Sequence, residues 1–255
     1  MKEIERRHLS GPAIRAVDIW PSANPVGSKP HQLLSDVERG LLASIASITR
    51  FEKGDQLYST GEPVRALFNI VSGYVATYAV GPDDGEHIIA FLYPEDLAGL
   101  SEAGRYSNSA RAITPVTAYI LPISPLQRRL VEDPILEFHF ITKLCHSLRQ
   151  QQRHALLLTQ RFVVTRLAMF LYLEALRQEQ FGAGDEAEIY LPMSRADIAE
   201  YLGTSAAAVS RAFLRLTERR VISNRNRHHV KIIDRAAFAQ LLNRAAQSPM
   251  VNGKW

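Results

Sequence analysis

Met193-Ser194-Arg195-Ala196-Asp197-Ile198-Ala199-Glu200-Tyr201-Leu202-Gly203-Thr204-Ser205-Ala206-Ala207-Ala208-Val209-Ser210-Arg211-Ala212-Phe213-Leu214-Arg215-Leu216 reads as two short helices across a tight turn. Ser194 is a good N-cap, and Asp197 three residues on makes a capping-box variant. Ile198, Ala199 and Leu202 form a short apolar face, with Ala199 small where two helices would cross closely. Gly203 supplies the positive φ that a tight inter-helix turn needs. Ser205 caps the second helix, whose buried side is Val209, Ala212, Phe213 and Leu216. This is the sequence form of a helix-turn-helix. The competing reading is an ordinary helical hairpin in a core.

The opposite face of the second helix carries Ala206, Ala207, Ser210, Arg211 and Arg215. Small residues let such a helix enter a major groove. Arg211 can present its fork to guanine O6 and N7, worth about 1–3 kcal/mol of base discrimination. Arg215, one turn on, reaches toward a phosphate. Downstream, Val221 to Ile233 holds two apolar runs around the polar, basic turn Asn224-Arg225-Asn226-Arg227-His228-His229. That pattern predicts a β-hairpin with a basic tip. A helix-turn-helix followed by a basic hairpin is a winged module, with Arg225, Arg227 and Lys231 placed near phosphates.

Charge agrees with this placement. Residues 189–255 hold 11 Lys+Arg against 4 Asp+Glu, while the rest of the chain holds 19 against 22. A basic C-terminal quarter on a mildly acidic body points to a polyanion partner, here double-stranded DNA. A solvated basic surface is the plainer alternative.

Upstream, Ile141, Leu144, Leu148, Gln151, Ala155, Leu158 and Phe162 alternate by three and four residues. This is a heptad seam with one polar position, Gln151, and it predicts a helix that pairs with a second copy. Phe138, Cys145 and Leu156 lie to one side and are expected to pack on the preceding domain. Phe181-Gly182-Ala183-Gly184-Asp185 ends the helical run. Residues 50–122 differ in character. Strand-like runs such as Leu67–Val71, Tyr74–Tyr78 and His87–Phe91 are cut by turns such as Lys53-Gly54-Asp55, Ser72-Gly73 and Gly81–Gly85. Short strands at this spacing predict a jelly roll. Val37, Leu41, Leu42, Ile45 and Ile48 predict a short helix capped by Ser35. Residues 1–30, with four prolines and no period, read as an N-terminal extension.

Composition sets the exclusions. The chain has 255 residues, 46% of them hydrophobic, and one cysteine, Cys145. One cysteine forms neither an internal disulfide nor a four-thiolate cluster, and fits a reducing compartment, the cytoplasm. No apolar stretch of 18 residues is present, and the charged N-terminus lacks a secretory apolar core. A metal-dependent jelly-roll enzyme is the alternative of a different class. It wants several histidines converging in the roll, and residues 50–122 contain only His87. A second alternative is an effector-binding module whose helix-turn-helix is structural.

The whole order, over about residues 35–245, resembles the CRP/FNR superfamily of bacterial transcription regulators. Phe51-Glu52-Lys53-Gly54-Asp55, Gly61-Glu62, Ile70-Val71-Ser72-Gly73 and Asp96-Leu97-Ala98-Gly99 are similar to that family's turn glycines. Arg111-Ala112-Ile113-Thr114 is similar to the strand after its ligand pocket, and Val209-Ser210-Arg211 to the Ser-Arg pair of the FNR-like branch. The resemblance implies an effector pocket near Gly99, Leu100, Tyr106, Ser107, Gln151 and Gln152. The departures matter. Leu100 and Tyr106-Ser107 stand where the cyclic-AMP branch carries a Glu and an Arg-Ser pair. Gln151-Gln152 stand where it carries an adenine-contacting Thr-Ser. A phosphate without its arginine lacks a charge-assisted partner, so cyclic AMP is expected to bind poorly. The iron–sulfur branch needs four cysteines. A haem-binding branch stays open through His87, His139, His146 and His154. Ala207 replaces the Glu of the FNR-like reading helix.

The expected fold is α+β. It comprises an extension (1–30), a double-stranded β-helix or jelly-roll sensor (31–133), a long dimerisation helix with hinge (134–180) and a C-terminal winged helix-turn-helix (181–255). The expected function is a DNA-binding transcription regulator, a homodimer on an inverted repeat. Its expected partners are DNA, RNA polymerase and an unidentified effector; no cofactor, metal or membrane is expected. The DNA-contacting set is Ser194, Thr204, Ser205, Ala206, Ala207, Ser210, Arg211, Arg215, Arg225 and Arg227. The dimer set is Ile141, Leu144, Leu148, Gln151, Ala155 and Leu158.

Overall fold

The computed structural model describes residues 36–81, 85–180 and 188–246. The extension, the Ser35 cap and the Phe181–Asp185 linker lie outside them. Helix α1 (Asp36–Ile45) leads into eight strands: β1 (Ser47–Phe51), β2 (Gln56–Tyr58), β3 (Ala66–Ser72), β4 (Val75–Val80), β5 (Glu86–Leu92), β6 (Leu97–Ala98), β7 (Ser109–Ala112) and β8 (Val116–Pro122). They form two antiparallel sheets, ordered β1-β8-β3-β6 and β2-β7-β4-β5. Ile48, expected on the first helix, instead pairs with Tyr119 in β1 and is 62% exposed. Between β3 and β4 the chain turns at Gly73, whose φ is +85°. A Cβ there would lie 2.2 Å from the carbonyl oxygen of Pro115, so only glycine fits.

The helices α2 (Ile123–Glu132) and α3 (Pro134–Leu158) follow. Asp133 separates them: its carboxylate accepts from the amides of Ile135 and Leu136, and Pro134 occupies the first helical turn. The expected single helical run then breaks. Thr159–Phe162 interrupts it, and a separate helix, α4 (Val163–Gln180), follows. Phe162, the last member of the heptad seam, sits in that break. The stripe of α3 that packs inward is Leu136, Phe140, His154 and Leu157. Phe138 and Cys145, expected to face the roll, are exposed instead. The register of the seam was legible, but not which flank the roll would cover.

Beyond α4 come β9 (Glu188–Tyr190), α5 (Arg195–Tyr201), α6 (Ala206–Glu218), β10 (Ile222–Asn224), β11 (His229–Ile232) and α7 (Arg235–Ala246). The three strands form one antiparallel sheet, ordered β10-β11-β9. This C-terminal module packs directly on the outer face of β4 and β5. One apolar core runs from Ala76, Tyr78, Ile88, Phe91, Tyr93 and Ile113 of the roll into Phe170, Leu171, Ile198, Val209 and Phe213. Val75 on the other face of β4 belongs to the interior of the roll. Sheet β2-β7-β4-β5 is therefore covered on both sides, and Val75–Tyr78 is buried without alternation.

A buried polar cluster joins the same pieces. The Tyr93 hydroxyl donates to Glu174, and the Arg177 guanidinium lies 3.8 Å over the Tyr93 ring. Arg177 pairs with Asp96 at 3.6 Å and donates to Gln150 Oε1 on α3 at 2.9 Å. Burial pushes the Glu174 carboxyl above the usual carboxylate range, with Arg177 and Tyr93 pulling the other way. Nearby, the His154 ring stacks on Tyr201 at 3.9 Å, and its Nε2–H donates to the Tyr201 carbonyl at 2.7 Å. Burial holds His154 below the ordinary histidine value, against backbone bonds to Tyr201 and Ile89.

The sign of the pH effect follows from that last shift. Below about pH 6.5 an unfolded His154 takes up a proton that the folded one resists. Stability contributed by this site is thus full above pH 6.5 and lost as the pH falls, by at most about 1.4 kcal/mol per unit. His154→Phe keeps the stacked ring without the titration. Thermal melts from pH 7 to 5 should show a smaller loss in that variant than in the parent; equal losses would contradict the assignment.

Candidate nucleic-acid interface

The helix-turn-helix is built from local chemistry. Ser194 Oγ accepts from the Asp197 amide at 3.0 Å, and Asp197 Oδ2 accepts from the Ser194 amide at 2.8 Å, a full capping box on α5. Ser205 Oγ accepts from the Ala208 amide at 3.2 Å and starts α6. Gly203 has φ +60°, and a Cβ there would lie 3.3 Å from Leu158 Cδ2. The turn is therefore pressed against the end of the long helix. Arg166 clamps it from α4: Nη1 donates to the carbonyls of Leu202 (2.8 Å) and Gly203 (3.1 Å), and Nε donates to Gln160 (2.7 Å).

Helix α6 is amphipathic as expected. Val209, Ala212, Phe213 and Leu216 are buried. Ser205, Ala206, Ala207, Ser210, Arg211 and Arg215 are exposed on the other side, and Thr204 is half-buried at its foot. The Ser210 hydroxyl bonds back to the Ala206 carbonyl at 2.9 Å. Three alanines open the helix, so its tip is slim. Arg211 faces outward, not into the core as the reading of a merely structural motif would favour.

The wing is the hairpin β10–β11, with Arg225 and Arg227 exposed at its turn. Arg225 lies 3.4 Å from Glu188, which partly neutralises it. His228 Nδ1–H donates to the Leu191 carbonyl at 2.7 Å, tying the hairpin turn to the segment after β9. Arg195 lies inside the motif, and its sequence context alone assigns it no role. Its guanidinium lies 3.4 Å over the Phe213 ring, and its Nη1 is buried with no hydrogen-bond partner among the described residues. Burial, then the nearby Arg227, pushes it down to about 10, so it stays charged at neutral pH. The only signal in the sequence was a cation in the first turn of α5.

The seam residues of α3 form an exposed apolar face. Ile141, Leu144 and Leu148 are 48%, 41% and 60% exposed, and Gln151, Ala155 and Leu158 continue the line. The expected effector pocket, by contrast, is not assembled. Gly99 and Tyr106 meet, but they close the space. Tyr106 stacks on Tyr58 at 4.2 Å, and Phe68 lies 5.4 Å from Tyr58. The Gly99 amide donates to the Tyr58 hydroxyl at 3.1 Å, and the Tyr106 hydroxyl donates to Ala66 at 2.8 Å. Leu100 packs with α1, α2 and α3 instead. Ser107, Gln151 and Gln152 are exposed. The nearest arginine, Arg105, points outward and donates to Gly61. Two adjacent tyrosines fill what glycine spacing alone presents as a cavity.

Among the described residues no group of three or more His, Cys, Asp or Glu could hold a metal, and no helix is long and apolar enough to cross a membrane. The metal-dependent enzyme reading has no donor set here.

These features define a winged helix-turn-helix module. Residues 165–241 match the Crp-like helix-turn-helix domain, and residues 48–133 match the Cyclic nucleotide-binding domain. The nitrogen fixation regulation protein FixK of Bradyrhizobium diazoefficiens is 33% identical over 171 residues, 65% of this chain and 70% of that one. The transcriptional activator protein anr of Pseudomonas aeruginosa is 29% identical over 185 residues, 72% and 75% of the two chains. The solved structure of FixK2 from Bradyrhizobium japonicum superposes with a TM-score of 0.71 at 26% identity, covering 77% of this chain and 97% of that one. The chain belongs to the CRP/FNR family.

Proposed function

We propose that the chain acts as a homodimer that reads an inverted repeat without a nucleotide effector. The observation that carries the DNA reading is Arg211, exposed on a slim α6 whose other face is locked in the core. Pairing two α3 seams would cover Ile141, Leu144 and Leu148 and place two recognition helices in successive major grooves. The half-sites are then about 10–10.5 bp apart. Arg195, Arg215 and Arg227 supply phosphate contacts. Arg195, half-buried in the first turn of α5, keeps its charge at neutral pH for that role. RNA polymerase is the expected protein partner and the cytoplasm the working compartment.

The interior of the roll does not fit cyclic AMP. Tyr58, Phe68 and Tyr106 occupy it, and Arg105 is exposed and donates to the Gly61 carbonyl. Two of the four histidines open to haem already have partners. His154 Nε2 is committed to the Tyr201 carbonyl, and His146 Nε2 to the side chain of Gln150 at 3.0 Å.

Selection from random duplexes with the purified protein tests the reading face. An inverted repeat is expected. Arg211→Ala should lose about 1–3 kcal/mol of discrimination at one base pair per half-site. Ala207→Glu should alter the neighbouring pair, since a carboxylate accepts from cytosine N4. Identical motifs from parent and both variants would sink the assignment. Separately, titration calorimetry with cyclic AMP should give no binding heat; a micromolar isotherm would mean that the two tyrosines move aside.

A further inference from the structure

The winged module leaves α3 through the break at Thr159–Phe162, so its angle to the long helix is not set by continuous helix. His154 on α3, bonded to the Tyr201 carbonyl, holds one point of α5, and a second directional contact is needed to fix the angle. The apolar core between β4, β5 and the module supplies adhesion, but apolar contact is non-directional. Directional contacts from the roll to the helix-turn-helix are few, and the best built of them centres on Arg111. This residue stands on β7, beside β4. Its Nη2 donates to Asp197 Oδ1 at 2.8 Å, and its Nη1 to Glu86 at the start of β5. The guanidinium carbon lies 5.2 Å from the centre of the Tyr78 ring. The side chains of Arg111 and Asp197 are 29% and 18% exposed.

Asp197 is the residue that makes this contact consequential. Its other oxygen closes the capping box of α5 with Ser194. One carboxylate thus holds the first helix of the helix-turn-helix with one oxygen and the roll with the other. A planar fork bridging two carboxylates fixes direction in a way that a point charge does not. A second pair, His87 with Glu200 at 3.5 Å, is exposed and looser.

We propose that Arg111 is a positioning residue for DNA reading: through Asp197 it sets the angle at which each recognition helix is presented relative to the dimer helix. In the docked arrangement the reading face of α6 stays exposed, so the contact is compatible with DNA binding. The inference rests on the dimeric, inverted-repeat reading above. A single half-site needs no fixed angle between two modules. A full repeat does, because the second half-site is engaged at an effective concentration that falls when the geometry is wrong.

The test compares binding of the full chain to two duplexes: the selected inverted repeat, and the same duplex with one arm scrambled. Arg111→Met keeps the length and the apolar contact with Tyr78 but removes the fork. It should lose about tenfold on the full repeat and stay within twofold on the half-site. Arg111→Lys should recover part of the loss, because it keeps the charge beside Asp197 and Glu86. If Arg111→Met binds the full repeat as tightly as the parent, Arg111 positions nothing. If it loses equally on both duplexes and Arg111→Lys is no better, Arg111 only supports folding of α5, and the proposal is wrong. A parent protein that prefers the full repeat no more than the half-site would overturn the dimer reading itself, and this proposal with it.

Discussion

Sheet β2-β7-β4-β5 is covered on both faces at its centre, where Val75–Tyr78 is buried throughout. Its inner side closes the roll through Val75, Ala110 and Ala112, and its outer side carries Ala76, Tyr78, Ile88 and Phe91 into the winged module. Withdrawing each large apolar side chain from water contributes about 1.5–3 kcal/mol. The Arg111–Asp197 pair, partly exposed, contributes on the order of 1 kcal/mol or less. The core therefore decides that the module docks, and the ionic contacts decide how. Undocking would strip a wide apolar patch of the kind that soluble monomers rarely expose.

This arrangement gives the roll a role that needs no ligand. Its interior is filled by its own aromatics, stacked and hydrogen-bonded to one another and to the backbone at Gly99 and Ala66. Its exterior is a platform for the reading head. Between platform and head lies the buried set Tyr93, Glu174, Arg177 and Asp96, which also reaches α3 through Gln150 and Lys143. Buried charges of this kind add little net stability, yet they penalise any other packing, because each would lose its partner. This set ties α4 to the roll and to α3, while α5 of the reading head meets the roll through Arg111 and Asp197.

Much of this was legible in the sequence because the signals were local. Ser194, Asp197, Gly203 and Ser205 are capping and turn chemistry acting over three or four residues, and the structure has each where the spacing places it. The face of α6 followed from Val209, Ala212, Phe213 and Leu216 in the same way. Long-range facts were not legible. The run Tyr74–Tyr78 reads as a strand, but nothing local says that β4 is covered on both faces. The heptad pattern carried through Phe162, because a period cannot report that Thr159–Phe162 interrupts the helix. Phe138 and Cys145 looked like roll-facing positions, and only the fold shows that Leu136, Phe140 and Leu157 take that place. The pocket glycines were read correctly as turns, but Tyr58 is about fifty residues from Tyr106, and their stacking has no signature in spacing. Arg195 was in view from the start; its meaning depends on Phe213 beneath it and Arg227 beside it.

The central claim is that roll and reading head are one packed unit before DNA arrives. Distance measurement between spin labels tests it most directly. Labels at Lys53→Cys in the β1–β2 turn and Glu218→Cys at the end of α6, both exposed, are placed in a Cys145→Ser background. The labelled chain is diluted with unlabelled protein so that only distances within one chain are read. A single narrow distribution, unchanged when operator duplex is added, is the predicted result. A broad or two-peaked distribution that sharpens on DNA would show that the head swings freely, and would contradict the account.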